Sequence, residues 1–394
     1  MAQDFLTADE ITNAALPILH QKLNFIGSIN RQYDDQFANR EAQIGEQLRI
    51  RLPNQYTVRV GSTWSAPAIV ESSVNLRVDR PRGVDMNFTD ADLTLRIEDF
   101  SERFIEPAMA VLASHMENDA LSMASSVYQA VDNIGAAIST RPIATARRVL
   151  DEALAPPDKR SCILSPRDEV DYIEATKNLM NPSNGIGDQF REGHINRFSG
   201  INFYANTLIP TPTTGTAASA TGYTVNGANQ TGSTVTLAAG ANTFAVGDII
   251  TFAGCFRVHP ETKASTGVLQ QFVVTAAYAG GAGNVAISPA IVTTGGRQNV
   301  SGSPTNGGAV VKMGGASAVY NPALVYHKDA FAFVTADLPL PKGTDMASRK
   351  TIDGISMRMI RDFNSTAGTY ITRLDVLYGY AVLRPELACR ILSN

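Results

Sequence analysis

Residues 211–318 hold only six charged side chains: Asp248, Arg257, Glu261, Lys263, Arg297 and Lys312. The other 286 of the 394 residues hold 64. The charged fraction therefore drops from about 22% to about 6%, while Gly, Thr, Ala and Val rise, a shift that marks a separate module. Inside it, short β-branched runs alternate with Gly-rich turns: STVTL (233–237), DIITF (248–252), QQFVVTA (270–276), NVAIS (284–288) and AVVKM (309–313). That spacing predicts a small all-β barrel or sandwich. A disordered low-complexity segment is the competing reading, and the regularity of the apolar runs speaks against it. The module is flanked by PTPTTGTAAS (210–219) and MGGAS (313–317).

The flanks follow other periods. Residues 1–56 read as an N-terminal arm. Thr7 and Glu10 form a capping-box pattern ahead of Ile11, Ala14, Ala15 and Ile18, and Pro17 should kink or end that helix. The polar stretch from 21 to 57 resembles an arm lying on a surface. Residues 57–98 alternate with period two, through Val74, Leu76 and Val78, then Val84, Met86 and Phe88. They predict an extended hairpin with its tip at Asp79–Gly83 or within 61–73. A two-stranded hairpin is marginal alone in water, so it needs a neighbour.

Over 99–131 the period becomes 3.6. Ile105, Met109, Leu112, Met116, Ala120, Met123, Val127 and Val131 share one face, with Pro107 in the first turn or at a kink. Methionine at this spacing is usually core filler. Residues 132–210 read as α/β. They hold a helix at 143–154, a buried strand at 162–164, and a helix begun by Ser165 as N-cap, Pro166 at N1 and Asp168 at N3. After 318 the α/β pattern returns over 319–394, with strands expected at 352–360 and 370–380. The low-charge module thus interrupts a domain that resumes beyond it.

Chemistry-bearing patterns are sparse. Three cysteines (Cys162, Cys255, Cys389) lie far apart without a CxxC, which suits a reducing compartment. The five histidines are isolated and form no zinc-binding spacing. There is no phosphate-binding glycine loop and no GxSxG. The expectation is a non-enzyme with no catalytic, cofactor or metal site. A hydrolase pairing Asp168 with His194 is the catalytic alternative. Net charge is −4 and the isoelectric point is near 5.8, which excludes a strongly basic nucleic-acid binder. No apolar run reaches the roughly 18–20 residues of a membrane span. MAQDFLTADE lacks the basic and apolar regions of a signal peptide. Arg77, Arg80 and Arg82 cluster on the hairpin. They are either a solvated face or candidate inter-subunit contacts to acids of a neighbouring copy.

The order of arm, hairpin, long helix and α/β domain resembles the major capsid proteins of tailed bacteriophages, the HK97-like fold. Three stretches carry the likeness: QFREGHINRFSGINFY (189–204) with Gly193 and Gly200, NPALVYHKDAFAFVTADLPLP (321–341), and YITRLDVLYGYAVLRPELACRI (370–391) with its Tyr-Gly turn and Arg-Pro. The low-charge module resembles the β-barrel inserted in the coat proteins of short-tailed Salmonella phages. The likeness covers most of the chain from about 75 onward.

The resemblance implies an α+β, HK97-like capsid fold. Its parts would be an N-terminal arm, an extended β-hairpin loop (57–98), a spine helix with a peripheral domain (99–131 plus part of 345–394), an α/β axial domain (132–210 and 319–394) and an inserted all-β domain (211–318). It also implies a homo-oligomer of pentamers and hexamers in an icosahedral shell. Scaffolding protein and portal would be partners, and double-stranded DNA would be packaged without sequence-specific binding. No cofactor or membrane enters. The location would be the virion, assembled in the host bacterial cytoplasm. An encapsulin-like cargo shell and a β-rich surface adhesin are the alternatives.

Overall fold

The computed structural model describes residues 8–33, 46–58, 61–62, 71–88, 101–176, 199–344, 346–352, 354–364 and 369–393. The chain forms two compact units. The first comprises Met1–Ile50, Ser73–Leu121 and Phe331–Leu383. The second comprises Arg51–Ser72, Ser122–Ala330 and Arg384–Asn394.

The first unit opens with α1 (Ala8–Lys22) and the single turn α2 (Phe25–Ser28). Pro17 does not end α1; it lies within the helix on the exposed face, where the lost N–H bond faces water. Thr7 lies outside the described residues. The described residues 11–29 are packed into this unit. Ile11, Ala15, Leu16, Leu19, Phe25, Ile26 and Ile29 are each 1% exposed or less. α1 packs on the helix α3 (Glu106–Leu121) and on two strands introduced below. Asn30 bonds as a bridge to the backbone of Phe331 and Phe333. The helix expected ahead of Ile11 is present, its apolar positions falling four apart, and Phe25, Ile26 and Ile29 bury the start of the stretch that reads as polar.

Strands β1 (Glu46–Arg51) and β2 (Ser73–Val78) pair, and Leu52 N donates to Ser72 O where they converge. The connection between them is 52–72, which takes in nearly all of the second expected tip region, 61–73, while β1 falls in the stretch expected to be arm. Asp79–Gly83 is not a tip: Arg80–Phe88 is a continuous strand, β3. Residues 89–98 lie outside the described residues. The long helix begins as a π turn (Ser101–Ile105), continues as α3 with Pro107 in its first turn, and ends as a 3₁₀ turn (Ser122–Ser126). All eight stripe residues are buried. Val127 and Val131 lie beyond the helix, in a segment where every residue from 127 to 131 is buried, so their spacing matched a helix without belonging to one.

In the second unit the chain runs through β4 (Ala130–Asp132), α4 (Thr140–Glu152), β5 (Arg160–Leu164), α5 (Pro166–Thr176) and β6 (Ile201–Ala205). Asp168 N donates to Ser165 Oγ at 3.1 Å, the N-cap expected, and Ser165 Oγ donates to Asp168 Oδ2 at 2.9 Å. Ser393 Oγ donates to the other oxygen, Asp168 Oδ1, at 2.7 Å. Asp168 is thus committed to helix capping and packing, while His194 lies outside the described residues, as does Gly193.

The inserted module comprises β7 (Ala220–Thr224), β8 (Gly232–Leu237), β9 (Ile249–Val258), β10 (Ser265–Val274), β11 (Gly283–Ile291) and β12 (Ala309–Lys312). All five expected runs are strands; β7, ATGYT, lacked the apolar density to be read. Strand order is β7-β12-β9-β10-β11-β8. Asn226 N to Thr236 O and Ala238 N to Thr224 O then join β7 to β8. The module is therefore a closed barrel, and closure removes the exposed edges that an uncharged sheet could not safely carry. Phe252 and Phe272, 5.5 Å apart, and a Tyr223–Phe244–Tyr278 cluster fill its interior.

After the barrel come β13 (Asn321–His327), β14 (Phe331–Ala336), β15 (Met346–Ile352), β16 (Ile355–Asn364), β17 (Thr369–Val382) and β18 (Ala388–Ser393). In the second unit the sheet order is β4-β18-β13-β5-β6, with β4 and β6 parallel to their neighbours. β5 is buried throughout, as expected for a central strand under helices. In the first unit, β17 is the hub. β3 pairs with it over 370–378, while β16 and β14 take 369–375 and 377–382. Leu377 and Tyr378 pair with both β3 and β14, so those strands lie on opposite edges. α1 packs on β15 and β16. The Tyr-Gly of 378–379 is no turn; it lies inside β17.

Candidate assembly interface

The arginine cluster sits where β2 passes into β3. Arg80 pairs in register with Tyr378 and Arg82 with Val376, so both project to one face of β17. α3 packs against β3, and there Asp119 meets both guanidinium groups: Arg82 Nη2 at 3.2 Å and Arg80 Nη1 at 3.6 Å. The buried Tyr378 hydroxyl donates to the same Asp119 oxygen at 2.7 Å. Arg80 also stands 4.5 Å over the Tyr380 ring, a cation–π contact. Arg77 lies on β2 and reaches Asp79 at 3.4 Å.

Partial burial works against the Asp119 charge. The Tyr378 hydroxyl and the Arg82 and Arg80 guanidinium groups outweigh it and hold the carboxyl below its usual range. Bonding to Tyr378 and Asp119 raises Arg82. Burial, and then the hydrogen bond to Asp119, push the Tyr378 hydroxyl well up. At neutral pH the cluster is one carboxylate held by two arginines and a neutral phenol.

The opposite face of the same strands carries a second charge ladder. Asp375, 3% exposed, accepts from Arg358 Nη2 at 2.7 Å and Arg373 Nε at 2.6 Å. Arg373 reaches on to Asp85 at 3.9 Å. Gly83 lies opposite Asp375, and a Cβ there would overlap the Asp375 carboxylate and the Leu374 carbonyl. Its glycine makes room for a neighbour's charge; it does not shape a turn. Gly379 has the same use, since a Cβ would overlap the Arg77 carbonyl where β2 crosses β17. Pro81 fits within β3 because that strand is an edge.

Arg80 and Arg82 therefore have an acid within their own chain, which the sequence did not reveal. Asp119 is nearly 40 residues from them and reads as one more charge on a helix. About half of each arginine side chain remains exposed: 57% for Arg77, 42% for Arg80 and 47% for Arg82. Asp375, Arg358 and Arg373 were also missed; the Arg-x-Asp alternation at 373–375, matched by Asp85, was the available signal.

A family model described as "P22 coat protein - gene protein 5" matches residues 28–392. The chain belongs to the P22 coat protein family. It is a structural subunit, many copies of which make a phage capsid shell, and its place is the virion. The match begins well before residue 75, taking in the buried N-terminal segment. No curated protein matches. Among solved structures, similar chains include one from Mycobacterium phage Che8, at 12% identity and TM-score 0.49, covering 94% of this chain and 90% of that one. Another is the capsid of cyanophage P-SCSP1u, at 12% identity and TM-score 0.46, covering 90% and 85%. A third is the mature capsid of bacteriophage PhiM1, at 11% identity and TM-score 0.41, covering 88% and 82%. The coat subunit's fold class is α+β and strand-rich, as expected.

Proposed function

We propose that this coat subunit assembles as pentamers and hexamers into the icosahedral head shell of a tailed phage, without catalytic activity. Family membership across residues 28–392 carries the reading. In this reading the shell forms in the host cytoplasm with a scaffolding protein and a portal, then encloses double-stranded DNA. A net charge of −4 suits a container, because a basic lining would hold packaged phosphates through many released counterions. Arg77, Arg80 and Arg82 offer their exposed halves to acids of a neighbouring copy, beyond the bonds they make to Asp79 and Asp119. Among the described residues, no helix is long and apolar enough to cross a membrane.

Electron microscopy of the expressed full chain, alone and with its scaffolding protein, tests the reading. Closed shells, polyheads or sheets are expected. A discrete monomer that hydrolyses a generic ester would overturn it, and shells filled with a protein cargo in place of DNA would favour the encapsulin alternative.

A further inference from the structure

Within the second unit, the junction of the barrel and the five-stranded sheet gathers buried charge. Arg390, on β18, is 3% exposed. Its Nη2 donates to Gly247 O at 2.9 Å, which ties the sheet to the barrel. Its Nε has no acceptor among the described residues. Lys312, fully buried at the end of β12, donates to Gly315 O at 2.7 Å and to Gly215 O at 3.4 Å. Asp248, 5% exposed, spends Oδ2 on the backbone N–H groups of Gly215 and Ala245. Asp248 is the carboxylate that bears on both Arg390 and Lys312. Burial lowers the Arg390 guanidinium to about 10, which leaves it protonated at neutral pH.

Two buried cations thus face one buried anion. A buried guanidinium with an unmet donor is costly unless something completes its shell. Arg390 lines a cavity of about 30 Å³, with Thr214, Gly247, Asp248 and Tyr320 in its wall. Roughly 10–15 Å³ suffices for one water-sized species. We infer that this cavity is a binding site for a small monovalent anion of the halide class, chloride foremost, held against Arg390. One negative charge brings the local sum to zero. A phosphate or sulfate dianion exceeds the charge. A water would supply an acceptor but leave the charge uncompensated. Because Arg390 comes from the sheet and Gly247 from the barrel, the bound anion also strengthens the connection between them.

Chloride-35 NMR on the full-length chain tests this. Wild type should broaden the chloride line, and bromide should reverse the broadening by competition. Arg390→Gln should abolish it, and Asp248→Asn, which removes the opposing negative charge, should enhance it. In parallel, the thermal midpoint of wild type should be higher in sodium chloride than in sodium gluconate at equal ionic strength. It should climb with the logarithm of chloride concentration, as linkage requires for a ligand of the native state. Arg390→Gln should melt alike in both salts. Absence of broadening and of any chloride preference in wild type would assign the cavity to water and overturn the site. Full retention of both in Arg390→Gln would overturn it equally. If Arg390→Gln does not fold, Asp248→Asn decides: unchanged halide broadening there refutes the assignment.

Discussion

The barrel and the sheet of the first unit close in opposite ways. The barrel's six strands come from one stretch, Ala220–Lys312, and its core cluster adds only Ala217 from just before it. The first unit's sheet joins β3, at Arg80–Phe88, to β17, at Thr369–Val382. Its Tyr378–Asp119 bond spans 259 residues. The barrel is held by apolar packing with six charges in all; the sheet buries Asp375 between two arginines. Sequence-local closure leaves a pattern that can be read along the chain, whereas closure across hundreds of residues leaves only fragments of one. It also means that damage in the first unit reaches segments from all over the chain, while the barrel should stand apart.

The largest expected effect tests that separation. Leu112 is 2% exposed on α3 within the first unit. Leu112→Asp would bury an unpaired carboxylate at a cost of several kcal/mol, comparable to the whole stability margin of many domains. The variant should be insoluble or fail to assemble, as measured by pelleting and particle yield. The fragment 213–317 alone should give dispersed amide signals and a β-type circular dichroism spectrum. Normal particle yield from Leu112→Asp, or a random-coil spectrum from the fragment, would erase the contrast between the two regions.

What could be read in the sequence follows the same division. STVTL, DIITF, QQFVVTA, NVAIS and AVVKM all became barrel strands because each run is apolar enough to need a sheet and is punctuated by its own turn residues. The stripe from Ile105 to Met123 was legible because its period is intrinsic to the helix. Pro81 and Gly83 misled, because turn chemistry and edge-strand chemistry use the same residues. At Gly83 the deciding fact is the Asp375 carboxylate, almost 300 positions away. The start of α1 was legible from its apolar spacing; the stretch after it misled because Phe25, Ile26 and Ile29, buried in the first unit, stand amid polar residues. Of the candidate interface, the arginines were visible, but not the Asp119 that engages two of them.

A second, smaller effect sharpens the comparison by titration. Glu117, 2% exposed on α3, accepts from Phe25 N at 3.2 Å and Ile26 N at 3.3 Å, and so caps α2. Burial raises its pKa from 4.5 to about 7, against the opposing pull of the Ile26, Phe25 and Asn24 backbone N–H groups. Between pH 4.5 and 7 the folded chain then binds more protons at this site than the unfolded chain. The stability this site contributes is complete below pH 4.5 and is lost as pH rises through 7. The full loss is about 3 kcal/mol. Glu117→Gln should flatten this part of the profile in urea unfolding. Parallel wild-type and variant profiles would show that Glu117 stays ionised throughout.

The smallest effect lies at the arginine cluster, where folding and assembly have to be separated. Arg80 and Arg82 share Asp119 at 3.6 and 3.2 Å, so reversing either charge strains the subunit itself. Exposed pairs are worth about 0.2–1 kcal/mol each, so Arg80→Glu with Arg82→Glu should lower the subunit's own stability by roughly 1–2 kcal/mol. Any assembly defect in that variant would be ambiguous. Arg77 gives the cleaner probe. Its partner, Asp79, is a near neighbour in sequence, and both side chains are largely in water. Arg77→Gln should leave the melting temperature unchanged to within the error of the measurement. If Arg77 meets an acid of a neighbouring copy, the variant should assemble more slowly at low salt. The deficit should vanish near 1 M salt, where screening confines exposed charges to about 3 Å. Equal assembly rates for wild type and Arg77→Gln at low salt would reduce Arg77 to a solvated side chain. The exposed halves of Arg80 and Arg82 would then be the remaining candidates, to be tested by Arg→Gln changes scored against the measured loss of subunit stability.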